Sequence, residues 1–305
     1  MFAIIPSRFE SMTHDEKKMG ALINKGTKIL ADAFIENNVA EARHLMMIYR
    51  DMDLATIYAN LDEELDDFTA MRYMKAIKKR ATHYPLQYIT GFTYFMDYEF
   101  NCKENVLIPR FDTENLVLKA VELAPERNCI TLDLCTGSGC IGISYKLMRE
   151  DDGFNDEVFL VDISDDAIDL ANENAKKLDA DVTIVKSDMF NAFKDEDGNP
   201  TVSFDMILSN PPYIKTKEIY NLLKDVRDFE PRLALDGASD GLAFYRIIAS
   251  EAKQFLVPGG YLVLEIGYDQ YMDVAEILKS NGFKSIKKQK DMSGLDRIVS
   301  ARYCI

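Results

Sequence analysis

From about Asp15 to Arg80, apolar residues recur at spacings of three and four, with few strand formers between them. This pattern predicts helices over residues 17–36, 41–50 and 63–79. In the last of these, Phe68, Met71, Tyr73, Met74 and Ile77 form a stripe expected to face a core. Met46, Met47 and Met52 are read as core packing, because flexible thioethers fill irregular gaps well. Residues 1–83 are therefore expected to form a small helical domain, and nothing in their pattern carries chemistry.

The stretch YPLQYITGFTYFMDYEFNCKENVLIPR has a different rhythm, with short alternations broken by Pro and Gly. It predicts a β-hairpin or extended connector over residues 84–111. From residue 112 onward, strand-like and helix-like segments alternate. Strands are expected at 130–134, 158–161, 182–185, 204–208, 261–265, 285–290 and 298–303. Helices are expected at 141–149, 165–178 and 242–255, with Pro258-Gly259-Gly260 as a turn before the fifth strand. The fold class is α/β: a doubly wound, mostly parallel sheet of seven strands that binds ligands at the strands' carboxyl ends. The acidic stretch 195–200 is read as a solvated loop.

Two segments within this alternation carry candidate chemistry. The first runs from Thr131 through Asp133, Leu134, Cys135, Thr136, Gly137, Ser138 and Gly139 to Gly142, a strand entering a glycine turn and then a helix. Glycines let the backbone turn tightly and approach a ligand. Asp162 ends the next strand, where a carboxylate can accept both hydroxyls of a ribose. Gly137-x-Gly139-x-x-Gly142 matches the dinucleotide fingerprint in form. The alternative ligand is S-adenosylmethionine, with Asp133 helping to hold its cationic amino-acid part. A tight turn with no ligand also satisfies the pattern.

The second segment is Asn210-Pro211-Pro212-Tyr213, delivered at the end of the strand Phe204 to Leu208. The prolines fix φ, and Pro211 forces Asn210 into an extended conformation. Such a rigid loop presents the Asn210 oxygen and neighbouring carbonyls as acceptors for a planar NH₂ group, with Tyr213 as an aromatic face. An amide nitrogen is a weak nucleophile, so positioning and preorganised polarity would supply its activation. This segment favours the methyl donor over a dinucleotide, which would leave it without a task.

Composition narrows the classes further. The net charge of −15 disfavours bulk nucleic-acid binding, which needs a basic face. All three histidines (His14, His44, His83) lie in the first third, so no histidine base serves the later motifs. Five cysteines without a C-x-x-C pair suggest reduced thiols in a cytoplasmic protein and no metal site. No run is long and apolar enough to span a membrane. The opening MFAIIPSRFESMTHDEKK lacks the basic flank and cleavage site of a signal peptide.

The sequence resembles the N5-glutamine methyltransferases of the HemK/PrmC type, which modify peptide-chain release factors. The resemblance rests on the two motifs above together with Pro85-Leu86-Gln87-Tyr88-Ile89-Thr90-Gly91 followed by Phe95, and on Val106 to Glu114. Glu230-Pro231, Ala234-Leu235-Asp236-Gly237 and Asp240-Gly241 add to it. It implies a class I methyltransferase domain over residues 112–305 and a substrate-recognising helical domain. It also implies that Cys135 to Gly139 wrap S-adenosylmethionine, Asp162 holds its ribose, and Asp188 with Met189 flank its adenine. Asn210 to Tyr213 would take the glutamine amide. Cys135 stands where the family usually has glycine, and Met189 where an aromatic residue is common. Ribosomal-protein glutamine and adenine-N6 DNA methyltransferases share these motifs in part, and a non-catalytic donor sensor would share the glycine turn.

Overall fold

The computed structural model describes residues 12–304, so most of the opening stretch judged for a signal peptide lies outside the described residues. The chain divides into two compact units between Thr90 and Gly91. The first contains helices α1 (Met19–Asp32), α2 (Asn38–Arg50), α3 (Leu54–Ala59), α4 (Asp67–Arg80) and α5 (Leu86–Thr90). Leu22, Leu45, Met46, Tyr73 and Ile77 are fully buried between them, and Met47 and Met52 pack on that core as expected. Helix α4 starts later than its apolar pattern suggests. The Asp66 carboxylate caps it by accepting from Thr69 N at 3.0 Å. The preceding residues bond the start of α1 instead, with Met19 N donating to Glu63 O and Leu65 N to Lys17 O.

Phe68 departs from the expected stripe, being 62% exposed. Ala70, Tyr73, Met74, Ala76, Ile77 and Arg80 are the residues of α4 that are buried. Phe68 lies two positions before Ala70, about 200° around the helix, so that face turns it outward. The stretch read as a β-hairpin or extended connector does contain a hairpin, preceded by a short helix that its pattern did not suggest. It opens with α5 and continues as an antiparallel hairpin of β1 (Phe92–Phe95) and β2 (Tyr98–Asn101), with Phe92 opposite Asn101. Met96 and Asp97 turn it with φ of 51° and 64°, as a two-residue hairpin loop demands.

The second unit continues with α6 (Glu114–Leu123), β3 (Ile130–Leu134), α7 (Cys140–Asp151), β4 (Glu157–Asp162), α8 (Asp165–Lys177), β5 (Thr183–Lys186) and β6 (Phe204–Ser209). After α9 (Lys224–Phe229) and α10 (Ala243–Phe255) come β7 (Leu256–Glu265), α11 (Tyr271–Ser280), β8 (Phe283–Lys290) and β9 (Asp296–Tyr303). The seven strands lie in the order β5-β4-β3-β6-β7-β9-β8. The first five are parallel, and β9 runs antiparallel to both β7 and β8.

Helices cover both faces, so the central strands are apolar on both sides. Along β6, Met206 and Leu208 enter one core while Ile207 enters the other. The expected turn at Pro258-Gly259-Gly260 falls inside β7. Phe204 pairs with Leu256 and Met206 with Tyr261, so residues 257–260 loop out opposite Asp205. The chain winds from β3 outward through β4 to β5, then returns to place β6 on the other side of β3. This reversal brings the carboxyl ends of β3 and β6 together, where an open α/β sheet forms its ligand crevice. Among the described residues no helix is long and apolar enough to cross a membrane.

Candidate functional site

The glycine turn leaves β3 with left-handed backbone at Cys135 (φ 59°), Gly137 (φ 57°) and Gly139 (φ 84°). A Cβ on Gly137 would meet only Val106 Cγ1, at 3.9 Å, so this position opens onto free space. Cys135 adopts a conformation that costs a side-chain-bearing residue about 1–2 kcal/mol, which explains why glycine suits it better. Its side chain packs against the main core, and burial pushes its thiol well above the usual cysteine range. Cys135 is therefore a neutral packing residue.

Asp133 is fully buried behind this turn. Its Oδ2 accepts from Thr136 Oγ1 at 2.6 Å and from Gly142 N at 2.9 Å. A carboxylate thus occupies the N-terminus of α7, the place where dinucleotide folds receive a pyrophosphate. Gly142 N is thereby committed to Asp133 and is not free to meet a phosphate, which disfavours the dinucleotide reading. Asp133 Oδ1 has no hydrogen-bond partner, and burial pushes the carboxyl up to about 7.

Asp162 is no free acid at a strand end. Its Oδ2 accepts from Gly137 N at 2.9 Å and its Oδ1 from Ser164 N at 3.0 Å, so it staples β4 to the turn. Burial raises its carboxyl above the ordinary range, against those backbone bonds. Each oxygen keeps a further lone pair, and the residue lines the cavity at the crevice.

That cavity has a volume of about 230 Å³. Of the residues singled out from sequence, Cys135, Thr136, Gly137, Ser138, Asp162, Asp188, Met189, Asn210 and Pro212 line it. Met189 is buried at φ 49° and Asp188 is exposed. Asp133, Gly139, Pro211 and Tyr213 do not line it. Sequence reasoning assigned no role to the facing wall, formed by Val106 to Arg110 with Thr113, Pro231, Leu233 and Phe244. Buried Glu230 ties this wall together, accepting from Ile108 N at 3.2 Å and pairing with Arg110. The only signal for it was the family-like character of the segments around Val106 and Glu230.

At the other strand end, Ser209 Oγ donates to Leu134 O at 2.7 Å and locks β6 to β3. Asn210 follows, its Nδ2 donating to Thr113 Oγ1 at 3.2 Å. The tetrapeptide is braced from below. Gln270 Nε2 donates to Tyr213 O at 2.9 Å, and a Cβ on Gly237 would lie 2.8 Å from Tyr213 Cα. Tyr213 does not offer its face to the cavity. Its ring packs on the main core and its phenol donates to Glu265 Oε1 at 3.1 Å. Burial and the neighbouring Glu265 push that phenol far above its ordinary value, so it stays a donor. No His, Cys, Asp and Glu group among the described residues is arranged to hold a metal ion.

The site is therefore a crevice lined both by the Asp162 and Asp188 carboxylates and by the Asn210 side chain. Asp162 and Asp188 suit a cationic ligand, Met189 and Ile163 suit a flat apolar one, and Asp162 suits a diol. These features fit S-adenosylmethionine, whose sulfonium and amino groups are positive. The unpartnered Asp133 Oδ1 and the open space over Gly137 agree with that fit.

Comparison with known proteins gives the same direction. Residues 21–91 match the PrmC N-terminal domain, and residues 110–228 match the methyltransferase small domain. The chain is 37% identical over 273 residues to a release factor glutamine methyltransferase of Geobacter sulfurreducens, covering 90% of this chain and 92% of that one. It is 37% identical over 280 residues to a release factor glutamine methyltransferase of Clostridium acetobutylicum, covering 91% and 95%. A solved protein-(glutamine-N5) methyltransferase (release factor-specific) from Alicyclobacillus acidocaldarius is 27% identical, with a TM-score of 0.39 over 68% of this chain and 100% of that one.

Proposed function

We propose, from the premise that the chain belongs to the release factor glutamine methyltransferase family, that it methylates the side-chain amide nitrogen of a glutamine in a peptide-chain release factor. S-adenosylmethionine supplies the electrophilic methyl group. The observation that carries the residue-level reading is the single crevice joining the Asp162 wall to Asn210 of Asn-Pro-Pro-Tyr.

In this reading the turn from Cys135 to Gly139 wraps the donor, and Asp162 accepts from its ribose while still holding Gly137 N. Met189 and Asp188 border the adenine. Asn210 Oδ1 accepts from the glutamine NH₂ and aims the nitrogen lone pair along the line of attack. An amide lone pair is delocalised into its carbonyl, so a fixed acceptor both raises electron density on nitrogen and removes rotational freedom. Pro211 and Pro212 keep that acceptor in place without spending rotational entropy at each turnover. Tyr213 acts as a brace, since its phenol is committed to Glu265. No covalent intermediate is needed, because the nitrogen gains the methyl group in one displacement and gives up one of its two protons.

The helical unit, with no chemistry of its own, grips the protein substrate. The enzyme works in the cytoplasm, where release factors meet ribosomes. The test is incubation with radiolabelled S-adenosylmethionine, purified release factor, ribosomal proteins and adenine-containing DNA, followed by mass mapping of the labelled product. Label on one release-factor glutamine is the expected result. Label confined to ribosomal protein or DNA would overturn the substrate assignment.

A further inference from the structure

The Asn-Pro-Pro-Tyr loop has little with which to anchor itself. Pro211 and Pro212 have no N–H, so the middle of the loop offers only carbonyl acceptors. Its upstream end is fixed where Ser209 Oγ donates to Leu134 O at 2.7 Å. A loop fixed at one end can pivot there, so its downstream end needs a donor from another element. Gln270 supplies that donor.

Gln270 immediately precedes α11 and is 4% exposed. Its Oε1 accepts from Gly267 N at 2.8 Å, and its own backbone N–H donates to Gly267 O at 3.0 Å. Its Nε2 donates to Tyr213 O at 2.9 Å and to Gly241 O at 3.2 Å. A backbone N–H only donates and a carbonyl only accepts, so these partners admit a single orientation of the Gln270 amide. One side chain thus ties the last residue of the tetrapeptide to the segment that returns past it. That segment is itself bonded to the loop, with Ile214 N donating to Leu235 O at 3.0 Å and Gly237 N to Ile214 O at 2.8 Å.

Two glycines make room for this amide. A Cβ on Gly241 would lie 2.5 Å from Tyr213 O and 2.7 Å from Gln270 Nε2, and one on Gly267 would lie 2.8 Å from Gln270 Oε1. A side chain at either place would push the Gln270 amide off its partners. Gly241 also has φ of 75°, which glycine adopts without strain.

We infer that Gln270 is a positioning residue for methyl transfer: by holding the Tyr213 carbonyl, it fixes the angle at which Asn210 meets the substrate glutamine. The inference rests on reading Asn210 as the acceptor for that glutamine. Gln270 does not line the cavity, so it acts through the loop and not on the substrate. With φ fixed at both prolines, a displacement of the Tyr213 carbonyl is passed on to Asn210 with few torsions to absorb it.

The test uses the full chain with S-adenosylmethionine and a purified release factor, comparing Gln270→Met, Asn210→Ala and the double variant with the wild type. Methionine keeps nearly the same length and removes both the donors and the acceptor. We expect kcat to fall about a hundred-fold, the cost typical of misplacing an aligning group by about 1 Å. Donor affinity by calorimetry should stay at the wild-type value. KM for the release factor should stay within about two-fold, because the contacts that bind it are untouched. In single-turnover assays the double variant should be no more than about two-fold slower than Asn210→Ala alone, since Gln270 then has no acceptor to position.

Wild-type kcat for Gln270→Met beside a slow Asn210→Ala would overturn this inference and leave the reading of Asn210 standing. A wild-type rate for Asn210→Ala would overturn that reading itself. Loss of donor binding in Gln270→Met, or a further drop of about a hundred-fold in the double variant, would also overturn the inference. The first result marks a glutamine that merely supports the fold, and the second one that acts by a route other than Asn210.

Discussion

Replacing Asp133 by asparagine should change how the stability of this protein depends on pH. Asp133 is fully buried, and burial lifts its carboxyl from 3.8 to about 7 despite the bonds from Thr136 and Gly142. An acid with a raised folded-state pKa contributes stability that is fully present below its unfolded value. That contribution is lost as pH rises toward the folded value. The loss is about 1.4 kcal/mol per pH unit across that window, or about 4 kcal/mol in all, and the curve flattens above pH 7. Asp133→Asn keeps an acceptor for Thr136 Oγ1 and Gly142 N but does not titrate. Urea unfolding of both proteins at each pH from 5 to 8 isolates this group, because the other carboxylates cancel in the difference. The wild-type stability minus that of the variant should fall by about 3 kcal/mol over this range, almost all of it below pH 7. Added S-adenosylmethionine should reduce the slope, since a cation near the turn favours the ionised acid. A difference that stays constant with pH would refute the reasoning, and Asp133 would then be ionised throughout.

Asn210→Ala should slow methyl transfer about 10²–10³-fold with donor affinity unchanged, as read in single-turnover assays. Asn210→Asp should also be slow, but with donor affinity kept or raised, because a charge beside a cationic donor stabilises its ground state. Asp162→Ala should weaken donor binding by about 1.5–3 kcal/mol in calorimetry. It should also lower the melting temperature, since Gly137 N and Ser164 N both lose their acceptor. A fragment of residues 91–305 holds every cavity residue, so it should bind the donor yet fail to methylate an intact release factor. Full activity of that fragment would remove the helical unit from substrate recognition.

Sequence alone was enough for the α/β sheet, because strands buried on both faces must be written as short apolar runs. Such runs survive in any order of assembly, and the strand at Ile130–Leu134 lies where its pattern put it. The glycine turn and Asn-Pro-Pro-Tyr were legible for a related reason, since both encode backbone conformations that few other residues adopt. Boundaries set by competition between neighbours were not legible. The start of α4 depends on Asp66 and on bonds from α1, and Phe68 faces outward because Ala70, Tyr73, Met74 and Ile77 claim the inner face. The roles of single polar residues also lay beyond the sequence. Asp133 and Tyr213 stand in motifs that suggest ligand contact, yet one caps a helix from behind and the other braces a loop. Thr113 lies 97 residues from Asn210 along the chain, and no local pattern links them. Sequence determined which motifs and which secondary structures this chain carries, because those depend on neighbours a few residues apart. Only the tertiary structure decided which way each buried hydrogen bond points, because its partner comes from another strand or loop.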